Sequence, residues 1–116
     1  MSLRVHGIQS CDTCRKARKW LVDAGLEHQW IELRESRPSR ADVERWLDAV
    51  GPDVLVNRRS TTWRSLPEAD RPGVESPGVV DLLVQHPTLI KRPLFERDGE
   101  FRAGFGDAQR RWLLEG

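Results

Sequence analysis

Apolar positions change their period several times along the chain, and each change marks an element. Leu3 and Val5 alternate with Arg4 and His6, and Ile8 follows Gly7, which predicts a short first strand. Helical spacing then takes over. Ala17, Leu21 and Ala24 share a face, Trp20 lies beside it, and Gly25 is a natural stop. His28 to Leu33, with Trp30, Ile31 and Leu33 as its apolar members, reads as a second strand. Ser39 is placed to cap a helix carrying Val43, Trp46, Leu47 and Val50, which Gly51-Pro52 ends. Residues 53–66 read as short helical turns, and Pro67, Pro72, Gly73, Pro77 and Gly78 punctuate a loop. Val79, Val80, Leu82, Leu83 and Val84 form another helical stretch that stops before Pro87.

The last third changes back to strands. Thr88-Leu89-Ile90 and Leu94-Phe95 read as two strands separated by Lys91-Arg92-Pro93. Asp98-Gly99 is a hairpin turn, with Phe101 to Phe105 as the returning strand. Asp107 is placed to cap a final helix carrying Ala108, Trp112 and Leu113. The predicted order is β-α-β, a helical middle, then β-β-α, which is an α/β domain with a mixed sheet. Trp20, Trp46 and Trp112 recur with aliphatics at helical spacing and belong to the core or its edge. With no repeat, low-complexity tract or long linker, residues 1–116 are expected to form one domain.

Composition narrows the function classes. The 116 residues are 38% hydrophobic and 32% charged, enough for a core that needs neither disulfides nor a structural metal. Nineteen Lys plus Arg against 18 Asp plus Glu leave a formal charge of +1, which argues against direct nucleic-acid binding. No apolar run is long enough for a membrane span, and the first residues lack the apolar stretch of a secretory signal.

Candidate chemistry centres on Cys11 and Cys14. A disulfide between them closes too small a loop to be a useful staple. The histidines His6, His28 and His86 show no zinc-finger spacing. Thiol chemistry in a reducing compartment, hence a cytoplasmic location, is the remaining expectation, beside two unreactive thiols. Cys11 stands where a strand passes into a helix, so free backbone N–H groups and the helix dipole favour its thiolate. Cys14 lies at the edge of the buried stripe formed by Ala17 and Leu21. An exposed attacking sulfur and a sheltered resolving one follow. Arg15, Lys16, Arg18 and Lys19 crowd the same helix, against the dipole. Arg15 and Lys16, nearest the sulfur, are candidates to hold an anionic substrate, and a solvated helix face is the alternative.

Three ordered stretches resemble the arsenate reductase (ArsC)/Spx family. Gly7-Ile8-Gln9-Ser10-Cys11-Asp12-Thr13-Cys14-Arg15-Lys16-Ala17 looks like its first loop. Asn57-Arg58-Arg59-Ser60-Thr61-Thr62-Trp63-Arg64 and Leu89-Ile90-Lys91-Arg92-Pro93-Leu94 look like its second and third signatures. The resemblance implies a thioredoxin-like fold with a helical insertion, and Cys11 as the nucleophile. It also implies Arg59, with Arg58 as the alternative, as the arginine of the middle signature. Arg92 matches the arginine before the loop proline, and Pro93 the usually cis proline whose backbone holds a thiol substrate. Two positions depart from the arsenate reductases. Phe105 stands where they carry a third arginine, and Gly7 where they tend to carry a histidine. The resemblance is nearest to the glutathione-dependent thiol reductase-like branch, although that branch commonly lacks a second cysteine and Spx-type regulators have C-x-x-C here.

The expected function is therefore a thiol-disulfide oxidoreductase with no tightly bound cofactor and glutathione as co-substrate. Cys11, Cys14, Arg59 and Arg92 would carry the chemistry, and Arg15, Lys16, Arg58 and Pro93 would bind substrate. Glutaredoxin is a possible partner. The alternatives are an Spx-type regulator that binds the RNA polymerase α subunit, and a true arsenate reductase.

Overall fold

A computed structural model describes residues 3–67 and 78–115. The chain divides into two compact units. The first holds residues up to Glu32 and from Arg92 onward, and the second holds Leu33–Lys91.

The first unit is built on a four-stranded mixed sheet. Strand β1 (Leu3–Gly7) leads into helix α1 (Asp12–Asp23) and then strand β2 (Gln29–Glu32). The chain re-enters the unit as strands β3 (Leu94–Arg97) and β4 (Glu100–Ala103). The strand order is β2-β1-β3-β4. β1 runs parallel to β2, with Val5 opposite Trp30 and Gly7 opposite Glu32. β3 is antiparallel to both β1 and β4. Asp98 and Gly99 take positive φ angles of 52° and 80°, the backbone a two-residue hairpin needs and an Asp-Gly pair supplies.

Period-two alternation sends Leu3, Val5 and Phe95 to one sheet face, against Ala17 and Leu21 of α1 and Trp112 and Leu113. The last two sit on the final helix (Asp107–Glu115, called α6 below). Gly25 ends α1 at a φ of 70°. Its N–H reaches Val22 O at 3.0 Å and Leu26 N–H reaches Leu21 O at 2.9 Å, a Schellman arrangement that satisfies the last carbonyls.

The second unit is helical. It holds α2 (Arg40–Val50), α3 (Pro52–Leu55), α4 (Thr61–Ser65) and α5 (Gly78–Gln85). Ser39 caps α2 as expected: its Oγ accepts from Asp42 N–H and its own N–H donates to Asp42 Oδ2, both at 3.1 Å. α2 packs on α5, burying Val43 and Trp46 with Val79, Leu82 and Leu83 nearby in the core. An Arg40–Asp81 ion pair joins the rims of these helices.

Three boundaries differ from the sequence reading. Thr88-Leu89-Ile90 is not a strand. Pro87–Leu89 is a single 3-10 turn, with Pro87 at its start, where a missing N–H costs nothing. Only Ile90 makes a β-bridge, to Val56. The returning strand stops at Ala103 because Gly104 turns to a φ of 92°. Gly78 opens α5, whereas the expected loop residues Pro72, Gly73 and Pro77 lie outside the described residues. Among the described residues, no helix is long and apolar enough to cross a membrane.

Candidate active site

Cys11 is the N-cap residue of α1, with extended backbone angles of −81° and 127°. Its N–H bonds Ile8 O at 2.9 Å, and its carbonyl accepts the first helical bond, from Arg15 N–H at 3.0 Å. The loop before it is braced by Gln9 N–H, which donates to Glu32 Oε1 at 2.7 Å. Strand β2 thus helps hold the turn that presents the sulfur.

The two cysteines are free thiols in unlike surroundings. Cys11 is half-buried, and Cys14, one turn along α1, is fully buried. This is the exposure difference expected from the helical wheel. Burial alone would raise the Cys11 pKa. The backbone N–H of Cys14, the charge of Arg92, the Cys14 thiol and the backbone N–H of Thr13 outweigh it, and the thiol stands below its ordinary value of 9.0. The sulfur makes no conventional capping bond, so these N–H groups act as the open end of the helix rather than as a tight cap. Cys14 goes the other way. Burial dominates, the nearby Cys11 sulfur adds to it, and the pKa is pushed up to about 12 despite the Ile8 backbone and Arg92.

Arg92 and Pro93 come from the segment that leads into β3, and the peptide bond between them is cis. Pro93 is buried, and its carbonyl accepts from Gly104 N–H at 2.9 Å. Cys11, Cys14, Arg92 and Pro93 therefore belong to one unit, and Arg92 is the largest cationic influence on Cys11. Arg15 is exposed and turns to Asp12 within α1. Lys16 is exposed on the same helix.

Arg58 and Arg59 are both exposed and lie in the second unit. There, Asn57 N–H to Leu89 O and Lys91 N–H to Leu55 O, each 2.7 Å, flank the Val56–Ile90 bridge. The segment so paired lines a cleft of about 330 Å³ with Asp53, Asn57, Arg58, Arg59 and Lys91. Arg58 reaches Asp53 at 3.6 Å. Among the described residues, no group of three or more His, Cys, Asp or Glu side chains is arranged to hold a metal ion.

The ArsC family model matches residues 6–112, from the end of β1 into α6. The chain belongs to the ArsC family. An uncharacterized Haemophilus influenzae protein is 40% identical over 110 residues, covering 92% of this chain and 94% of that one. The global transcriptional regulator Spx of Streptococcus pyogenes serotype M6 is 29% identical over 107 residues, covering 90% of this chain and 79% of the regulator. The solution structure of an arsenate reductase (ArsC) related protein from Brucella melitensis superposes with a TM-score of 0.79 at 35% identity. It covers 100% of this chain and 97% of that one. The fold is thus α/β and thioredoxin-like, as the ArsC resemblance implied.

The two positions that the resemblance sets apart from the arsenate reductases, Phe105 and Gly7, are both closely packed in this ArsC-family chain. Phe105 is packed in aromatic surroundings. Its ring meets Trp20 edge-on, with centroids 5.7 Å apart and planes at 68°, and Phe95 at 6.4 Å. The Arg110 guanidinium lies 4.5 Å from its centre. The arginine of β4, Arg102, stacks on Trp112 at 4.9 Å and donates to Phe101 O. At the other departure, the space a side chain on Gly7 would need is filled by Trp30. The sequence reading placed Trp30 on a strand and gave it no part in the site. The signal was Gly7 itself, a glycine on a strand one loop ahead of the cysteines.

Proposed function

We propose that this protein is a thiol-disulfide oxidoreductase with Cys11 as the attacking sulfur and glutathione as the reducing co-substrate. The observation that carries the reading is the opposite tuning of neighbouring thiols: Cys11 is accessible and lowered, while Cys14 is buried and raised. A lowered thiol presents more of the attacking thiolate at a given pH and leans less on a base to activate it.

In the proposed reaction the Cys11 thiolate attacks one sulfur of a substrate disulfide. One S–S bond forms, one breaks, and the leaving thiolate takes a proton from water. Free glutathione, or Cys14 after it gives up its proton, then attacks the Cys11 sulfur of the mixed disulfide, so that a new disulfide forms on Cys11 and the other half of the substrate leaves as thiolate. Glutathione attacks that disulfide in turn and frees Cys11 as thiolate; two glutathiones in all supply the two electrons and leave joined as their disulfide. Arg92 stabilises that thiolate, and Arg59 or Arg58 suits a substrate carboxylate through paired N–H donors. The resemblance sets Phe105 where arsenate reductases carry a third arginine, which favours an organic thiol over a doubly charged oxyanion. A reducing compartment such as the cytoplasm suits this thiol chemistry.

Trapping tests the reading. Cys14→Ser protein mixed with oxidised glutathione should gain one glutathione by mass, on Cys11. An unmodified protein, or a Cys11 alkylation midpoint near the ~8.5 of a free thiol, defeats it. The similarity to Spx favours a second reading, a C-x-x-C regulator that binds RNA polymerase. Stoichiometric polymerase capture without turnover of a mixed disulfide would favour it over the enzyme.

A further inference from the structure

Cys14 is sealed from solvent by groups outside its own helix. A β-carbon built on Gly7 would stand 2.5 Å from Cη2 of Trp30 and 2.9 Å from Sγ of Cys14. The indole and the sulfur therefore converge on the place where any other residue would carry its side chain. Trp30 reaches this point from β2, the strand beside β1. The Arg18 guanidinium lies over the indole at 4.5 Å from the ring centre, which fixes the ring against α1. Nothing in the proposed reaction uses Trp30.

We propose that Trp30, admitted by the missing side chain of Gly7, is a positioning residue that covers the Cys14 sulfur and keeps it as an S–H donor to Cys11. The inference rests on Cys11 being the nucleophile. The ring carbons Cζ2 and Cη2 of the indole and a glycine Cα offer a thiolate no solvation, so Cys14 holds its proton while Cys11 gives its proton up. The raised Cys14 pKa agrees with this arrangement, and the Cys14 thiol is among the groups that lower Cys11. Charged groups on the neighbouring elements fit this arrangement. Arg92 favours ionisation of both sulfurs. Asp12 and Arg15 pair with each other, Arg18 is on the indole, and Glu32 is held by Gln9 N–H.

The experiment follows the Cys11 thiolate by its ultraviolet absorbance against pH, in the reduced full chain, for wild type, Trp30→Ala, Trp30→Phe, Cys14→Ala and Trp30→Ala/Cys14→Ala. Alkylation of each cysteine by iodoacetamide is read by mass in parallel. Trp30→Ala should raise the Cys11 midpoint and speed Cys14 alkylation severalfold, and Trp30→Phe, which keeps a ring over the sulfur, should stay near wild type. Cys14→Ala should raise the Cys11 midpoint as well. The double variant should shift it no further than Cys14→Ala alone, because Trp30 acts through Cys14. Additive shifts in the double variant, or an unmoved Cys11 midpoint in folded Trp30→Ala, overturn the proposal. Should Trp30→Ala fail to fold, an unmoved midpoint in Cys14→Ala does the same. A wild-type midpoint at the free-thiol value instead defeats the nucleophile reading itself, so the two failures are told apart.

Discussion

Arg92, joined by a cis bond to the buried Pro93, lowers the pKa of Cys11, second in strength to the backbone N–H of Cys14 and ahead of that of Thr13. A guanidinium stays charged at every working pH, so its effect on the sulfur is constant. Replacing Arg92 by Ala should raise the Cys11 midpoint and slow its alkylation at neutral pH severalfold. Arg92→Lys should fall between the two, because it keeps the charge and loses the planar donor pair. The pH–rate profile of iodoacetamide labelling measures both, and a profile unchanged in Arg92→Ala would remove Arg92 from the site.

Local features of the site were legible in the sequence, and cross-strand features were not. The start of α1 was readable because a cap and a helical wheel involve neighbours only: Cys14, Ala17 and Leu21 are the buried residues of that helix. The run Thr88-Leu89-Ile90 misled because its apolar residues suit a strand and a buried turn equally. Leu89 and Ile90 are both fully buried, and the proline ahead of them decided for the turn. Of the cover on Cys14 only the gap at Gly7 was legible, since what fills it depends on which residue of β2 stands near Gly7 in register. For the middle signature, Arg58 and Arg59 are both exposed beside one cleft, so neither burial nor pattern separates them.

Gly7→Ala should destabilise the protein for a steric reason. The added carbon would stand inside van der Waals contact of both the Trp30 ring and the Cys14 sulfur, at 2.5 and 2.9 Å. An indole under Arg18 cannot swing aside as a flexible chain end could. Overpacking of this kind costs about 1–3 kcal/mol. Urea denaturation should show the loss as a lower midpoint with an unchanged slope. An unaltered midpoint would mean that the ring yields freely.

The capping box of α2 gives a second stability prediction. Ser39→Ala removes the acceptor for Asp42 N–H and should cost about 1 kcal/mol. Asp42 is partly buried, which alone would raise its pKa. The Ser39 backbone and side chain, then Arg45, lower it below the usual 3.8. A depressed carboxylate stabilises the fold above its unfolded pKa and loses that contribution as pH falls through the folded value. The gap between wild type and Ser39→Ala should therefore narrow in acid, which thermal melts across pH 2–6 would show (about that window, from the ordinary carboxylate range).

Cys14 makes the alkaline side of the stability profile diagnostic. Its thiol is pushed up to about 12 from an ordinary 9.0 by burial first and by the Cys11 sulfur second. A raised acid binds its proton more tightly folded than unfolded. Its contribution is complete below the unfolded value and is lost as pH climbs through the folded one. Wild-type stability should therefore fall between pH 9.0 and about 12 more steeply than that of Cys14→Ala, which has no proton to lose there. Cys11 adds little slope there, since the stability from its depressed pKa is complete once the unfolded thiol's ordinary value is passed. The comparison is cleanest in a Cys11→Ser background, with denaturant midpoints taken at intervals across that range. Parallel curves with and without Cys14 would show that water already reaches the sulfur, and the seal formed by Trp30 over Gly7 would then have no chemical consequence.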